Sequence, residues 1–257
     1  NVSAGTSVFT MIVLEKALPK VHTEIDMVTT PAGLPAAMVH CNNCTNEINA
    51  WAEVFRGFLE AMGQEPDMNA VFTAMFRTAL AGEPDAGGLL LYNYLSGEPV
   101  TGLEEGCPLL VRTPEARLNF ANFMRAQLFS AVASLKLGMD ILFEGEGVRL
   151  DTLLGHGGLF KTPVVGQRLL AGALGVPVAV METAGEGGPW GMALLAAYML
   201  EKRPGETLEQ YLANRVFADA KGAVQRPREE DCAGFARFME DYKTGLAVER
   251  AAVEALR

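Results

Sequence analysis

Residues 154–200 read LGHGGLFKTPVVGQRLLAGALGVPVAVMETAGEGGPWGMALLAAYML, and this stretch decides the fold. Three glycines, Gly155, Gly157 and Gly158, leave the short apolar run DTLLG, and a helix is expected from about Pro163 to Leu174. A second β-type run, PVAVM, follows, and then Gly187-Gly188-Pro189-Trp190-Gly191 opens the helix MALLAAYML. Strand, bare loop, helix, strand and helix in that order predict a sheet with helices packed on it. The small residues of the last helix would let it pack closely against the glycine loop. Glycine backbone lets a flat ring or a ribose lie directly against the chain, and the helix N-terminus behind it favours negative charge. The same glycines would equally serve a loop that only needs positive φ. No GKS or GKT follows them and the spacing is not GxGxxG, so neither common phosphate-loop pattern applies.

Upstream, SVFTMIVLEK, VHTEIDMVTT and PAAMVHC are short β-branched or apolar runs split by Pro and Gly, which predicts an antiparallel meander over Ser7–Cys41. From Thr45, placed as a cap, Ile48, Trp51, Phe55, Phe58, Leu59 and Met62 recur at helical spacing. A second helix is expected from about Asp67 to Leu80 and a buried strand in GLLLYNYL. Thr113-Pro114-Glu115 has the chemistry of a helix start, with Phe120, Met124, Leu128, Val132 and Leu135 facing inward. After Arg203-Pro204-Gly205 the chain reads as wholly helical, with Phe235, Phe238, Met239, Tyr242 and Leu246 on one stripe. No repeat or linker divides it, and one domain over residues 1–257 is expected.

Composition narrows the function. The 257 residues are 49% hydrophobic by type and carry a formal charge of -10, without a Lys/Arg cluster. Nucleic acid and anionic membranes reward basic patches, so neither is an expected partner. No uninterrupted apolar run nears the ~20 residues of a membrane span, and there is no basic-then-apolar leader, which predicts a soluble cytoplasmic chain. Cys41 and Cys44 form a lone CxxC without the further ligands a zinc site needs, and a structural role is the simpler reading. His22, His40 and His156 are scattered, Glu98 and Asp140 have no visible partner, and no metal cluster or catalytic triad is discernible. A second candidate site is the turn NVSAGTSVF, where Gly5 lets backbone N–H groups converge and Thr6 and Ser7 add hydroxyls, a combination suited to phosphate or to an ordinary hairpin.

The order of these pieces resembles the C-terminal domain of the FGGY carbohydrate kinases. GTS between strands, LSGEP at 95–99, a helix containing RAQL at 125–128, then GHGGLFKTP, a helix ending LG, PVAVME and GMALLAAYM carry the resemblance over about Val2 to Leu200. It implies an α/β fold, half of an actin-like, RNase H-like ATPase: a mixed sheet with packed helices, one of the two domains of a sugar kinase. It implies that Gly5, Thr6 and Ser7 hold the distal phosphates of ATP, and that Gly157 and Gly158, with Leu159 and Thr162, form the adenosine site. HGG stands where the family has GGG, and the loop after Gly158 is slightly longer than usual. The family's aspartate base lies upstream of GTS, so the resemblance places it outside this chain, in an N-terminal sugar-binding domain, and implies an inactive fragment. ATP and Mg²⁺ are the expected cofactors and a pentulose, xylulose first, the expected acceptor; a homodimer is compatible. The alternatives are a stand-alone actin-like module binding nucleotide or a protein partner, and a helix-rich scaffold whose glycines only make turns.

Overall fold

The computed structural model describes residues 1–182, 187–218 and 222–256. Strand β1 (Val2–Ala4) turns through Gly5–Ser7 into β2 (Val8–Val13), followed by β3 (Asp26–Thr29) and β4 (Pro35–Cys41). Helices α1 (Asn46–Ala61) and α2 (Met68–Ala79) come next, then β5 (Leu90–Tyr92), β6 (Leu109–Val111) and the long helix α3 (Phe120–Asp140). Strand β7 (Leu153–His156) leads to α4 (Val165–Leu174), β8 (Val178–Met181) and α5 (Gly187–Glu201). The chain ends with α6 (Leu208–Tyr211), β9 (Gly222–Gln225) and α7 (Glu229–Ala255).

Seven strands form one mixed sheet in the order β3-β4-β2-β1-β7-β8-β9, and β5 pairs separately with β6. Among the described strands, only β1–β7 and β7–β8 pair in parallel. That parallel pair positions the site. With Val2 opposite Gly155 and Ser3 opposite His156, the two strands leave the sheet at the same edge. The Gly5–Ser7 turn and the Gly157–Gly158 loop therefore emerge side by side, where α/β sheets bind ligands.

Three expectations need correcting. The first strands are antiparallel but not a meander, because β4 lies between β2 and β3. Burial explains the order: β4 has four buried residues and suits an interior position, whereas β3 has none and suits the edge. Helix α3 does not start at Thr113-Pro114. Those residues make a turn, with Ala116 N–H donating to Thr113 O, and Arg117 N–H is drawn to Gly87 O. Extended Asn119 is the cap, its side chain accepting from Asn122 N–H, as an N-cap must. The C-terminal part is not wholly helical, since β9 pairs antiparallel with β8 and covers its open edge. Its sequence, GAVQ, holds a single β-branched residue, so pairing with a neighbouring strand decides its conformation over local propensity.

Helix α3 is the centre of the core, buried from Asn122 through Leu135. The helical stretch Phe120–Gly145 is apolar and long enough to cross a membrane, yet it is mostly buried inside the fold, as in the core helix of a globular domain. A charged clasp ties three helices together: Asp231 of α7 accepts from Arg125 of α3 at 2.7 Å and from Arg168 of α4 at 2.7 and 3.0 Å. Burial alone would raise the Asp231 pKa, but Arg168 and Arg125 hold it below the usual carboxylate value.

Candidate nucleotide site

The glycine loop is tight where it touches β1. Gly157 has φ +94°, and a Cβ there would sit 2.5 Å from the Ala4 carbonyl oxygen, so glycine is required. Gly158 has no such crowding; its nearest neighbour, the same oxygen, would be 4.0 Å away. After a single helical turn over Gly158–Phe160 the chain passes Val164, held at φ +75°, into α4. Leu159 is turned into the core, and Gly166 of α4 packs so closely on its carbonyl that a Cβ would lie 2.3 Å away.

Beside this loop lies a cleft of about 370 Å³. Gly158, Lys161 and Thr162 form one wall, Thr45, Ile48 and Asn49 of the α1 start another, and Phe72, Thr73 and Phe76 of α2 help form the third. Ile48, Phe72 and Phe76 give the cleft apolar surface against which a flat ring could lie, among the polar Thr45, Asn49, Asn69, Thr73, Lys161 and Thr162. Thr45 joins the cleft to the turn after β1, its N–H and Oγ1 donating to Gly5 O at 3.0 and 2.7 Å. With that hydroxyl engaged, the N-terminus of α1 has no side-chain cap, and its first N–H groups carry a partial positive charge at the cleft rim.

The residues singled out from sequence fall as follows. Gly5, Thr6 and Ser7 form the turn beside the cleft, with Thr6 exposed at its tip. Gly158 and Thr162 line the cleft; Leu159 lies beneath it. Gly157 faces the other side, a depression shared with Ser3, His156, Gly187 and Gly188. His156 is half-buried and its pKa is lowered by burial. The start of α5 lies by the loop, with Gly187 close to the His156 ring, whereas Met192, Met199 and Leu200 farther along the helix are exposed.

Thr45 was legible only as a cap, and Asn43, Asn49, Phe72, Thr73 and Lys161 carried no signal, because only the folded chain brings α1 and α2 to the loop. Cys41 and Cys44 are buried in the core, where desolvation pushes the Cys44 thiol up to about 12 and Cys41 higher still. Asp140 pairs with Lys136 one turn earlier. Glu98, in LSGEP, is fully buried, and its Oε2 accepts from Asn43 N–H and Nδ2 at 3.3 and 3.2 Å. Burial pushes its pKa up to about 7 despite those hydrogen bonds.

A mixed sheet with ligand-sized loops at the ends of its parallel strands, and helices packed on it, has the architecture of an actin-like ATPase domain. Residues 1–200 match the model of the C-terminal domain of the FGGY family of carbohydrate kinases, and the chain belongs to that family. Similar solved structures are the xylulose kinase from Rhodospirillum rubrum (TM-score 0.71, 15% identity), a ligand-bound xylulose kinase from Lactobacillus acidophilus (0.70, 18%) and Plasmodium falciparum glycerol kinase with ADP (0.68, 15%). Each alignment covers 96% of this chain and 46% of the other, so the chain spans less than half the length of these relatives. No curated protein matches its sequence.

Proposed function

We propose that this chain is the nucleotide-binding half of an ATP-dependent carbohydrate kinase that transfers the γ-phosphoryl group of ATP to a sugar hydroxyl. The observation that carries the reading is the juxtaposition of a bare-backbone cleft with the Gly5–Ser7 turn, joined through Thr45. Adenosine would lie against Gly158 and Thr162, between the loop and α1–α2. The phosphates would run toward Gly5, Thr6 and Ser7, with Gly157 keeping β1 and β7 close enough for both contacts. Lys161 and the uncapped α1 start add local positive charge to a chain that is acidic overall.

ATP would supply the phosphoryl group. Among the described residues no group of three or more His, Cys, Asp or Glu gathers to hold a metal ion, and Mg²⁺ would arrive with the triphosphate. The general base is assigned to an aspartate of a preceding sugar-binding domain, with which the acceptor would also bind. The residues here would bind and orient, and phosphoryl transfer by this chain alone is not expected. A pentulose, xylulose first, is the proposed acceptor on the basis of the LSGEP loop and the C-terminal helices, and a cytoplasmic setting is proposed from the unpaired buried cysteines.

Calorimetric titration with ATP tests the reading. Saturable binding that weakens in Gly158→Val while the fold is retained is expected, since a side chain there would occupy the seat without striking backbone. Unchanged affinity in that variant would refute the assignment. A coupled assay of the two-domain protein against ketoses and polyols would test the acceptor, and a glycerol or gluconate preference would overturn the pentulose proposal.

A further inference from the structure

The turn proposed to hold phosphate is itself held from behind. Gly5 O accepts both hydrogen bonds of Thr45, and Thr6 O accepts from Cys44 N–H at 3.0 Å. A trans peptide directs its N–H opposite to its C=O, so anchoring these two carbonyls on residues 44–45 points the N–H groups of Thr6 and Ser7 away from that segment. Two adjacent N–H groups aimed the same way make an anion-binding concavity.

Residues 42–44 are in turn fixed by buried side chains. Asn43 donates from Nδ2 to Ser96 O at 3.0 Å and to Glu98 Oε2, and its Oδ1 accepts from Ser96 N–H at 3.1 Å. Asn42 Nδ2 donates to Gly97 O at 2.8 Å, and Asn93 Nδ2 to Cys44 O at 2.8 Å. The loop carrying Glu98 has little freedom, because a Cβ on Gly97 would lie 2.2 Å from Glu104 O. Glu98 Oε1 and Asn93 Oδ1 are buried and make no further hydrogen bond of ordinary geometry, while the Asn42 and Val100 N–H groups also act on the Glu98 carboxyl, so the carboxyl is held at the centre of this cluster.

We propose that Glu98 and Asn43 are positioning residues: their clasp sets the Cys44–Thr45 segment, which aims the Thr6 and Ser7 N–H groups at the nucleotide phosphates. The proposal rests on the nucleotide reading above. It requires that the clasp matter for ligands with phosphates and not for the nucleoside. Glutamine at 98 keeps an acceptor for Asn43, whereas alanine does not.

The test compares ATP with adenosine by calorimetry in the wild type and in Glu98→Gln, Glu98→Ala and Asn43→Ser. Glu98→Ala and Asn43→Ser are expected to lose about tenfold in ATP affinity, the equivalent of one poorly aimed hydrogen bond to a charged group, with adenosine affinity unchanged and Glu98→Gln near wild type. Should Glu98→Ala fail to fold, Asn43→Ser carries the test, since it leaves the backbone N–H bond to Glu98 in place. Parallel losses for both ligands, or no loss for either, would overturn the positioning role. A wild-type chain that binds neither ligand would overturn the nucleotide reading, and the proposal with it.

Discussion

Replacing Glu98 with glutamine should stabilise the fold more as the pH rises. Burial raises the carboxyl pKa from 4.5 to about 7, so the native state holds its proton where the unfolded chain has released it. A raised pKa contributes stability that is complete below the unfolded value and lost as pH climbs through the folded one. At 1.36 kcal/mol for each tenfold ratio, the full loss is about 3 kcal/mol, of which about 2 kcal/mol falls between pH 5.5 and 8.5. The other titratable groups that act on this site, Tyr94 and Cys41, are pushed upward by burial, to about 12 and beyond, and stay neutral through this window. Glutamine retains an acceptor for Asn43 and does not titrate. Urea unfolding of both proteins across the range should therefore show Glu98→Gln gaining about 2 kcal/mol on the wild type between pH 5.5 and 8.5. A difference that stays flat, or narrows as the pH rises, would mean that Glu98 ionises at its ordinary value and that the buried clasp is wrongly described.

Gly157→Ala should destabilise the domain by about 2–4 kcal/mol in thermal or urea unfolding, since both its φ of +94° and the 2.5 Å approach to Ala4 O exclude a side chain. Gly158→Val should cost little stability while weakening ATP binding, so the two neighbouring glycines separate a structural role from a binding role. Asp231→Asn should lose about 3–5 kcal/mol by leaving buried Arg125 uncompensated, and a melting temperature within a degree of wild type would refute that account of the clasp. Saturating ATP, at one hundred times its dissociation constant, should raise folding stability by about 2.7 kcal/mol, and a melting curve that ignores ATP would favour the scaffold reading.

The parts of the fold written locally were legible. The alternation from DTLLG to MALLAAYML and the apolar period of α1 appear where spacing placed them, although α5, unlike α4, buries none of its residues fully. What escaped was set by distant partners. Strand β4 lies between β2 and β3 because of its burial, and β9 is a strand because β8 leaves an open edge. Thr113-Pro114-Glu115 was the more conspicuous start signal, yet Asn119 caps α3 because Gly87 pulls Arg117 out of helical register. At the site, glycine-rich backbone marked the loop and the turn, and of Gly5, Gly157 and Gly158 it is Gly157 whose backbone requires glycine. The roles of Asn43, Thr45 and Glu98 stayed hidden because they arise from contacts across 55 residues of sequence for Asn43 with Glu98 and 40 for Thr45 with Gly5.

A crystal structure of this chain with Mg²⁺ and ADP would test the nucleotide seat most directly. Adenine and ribose are expected against Gly158 and Thr162, with the terminal phosphate within hydrogen-bond reach of the Thr6 and Ser7 N–H groups. A nucleotide bound elsewhere, with that cleft closed by protein side chains, would contradict it.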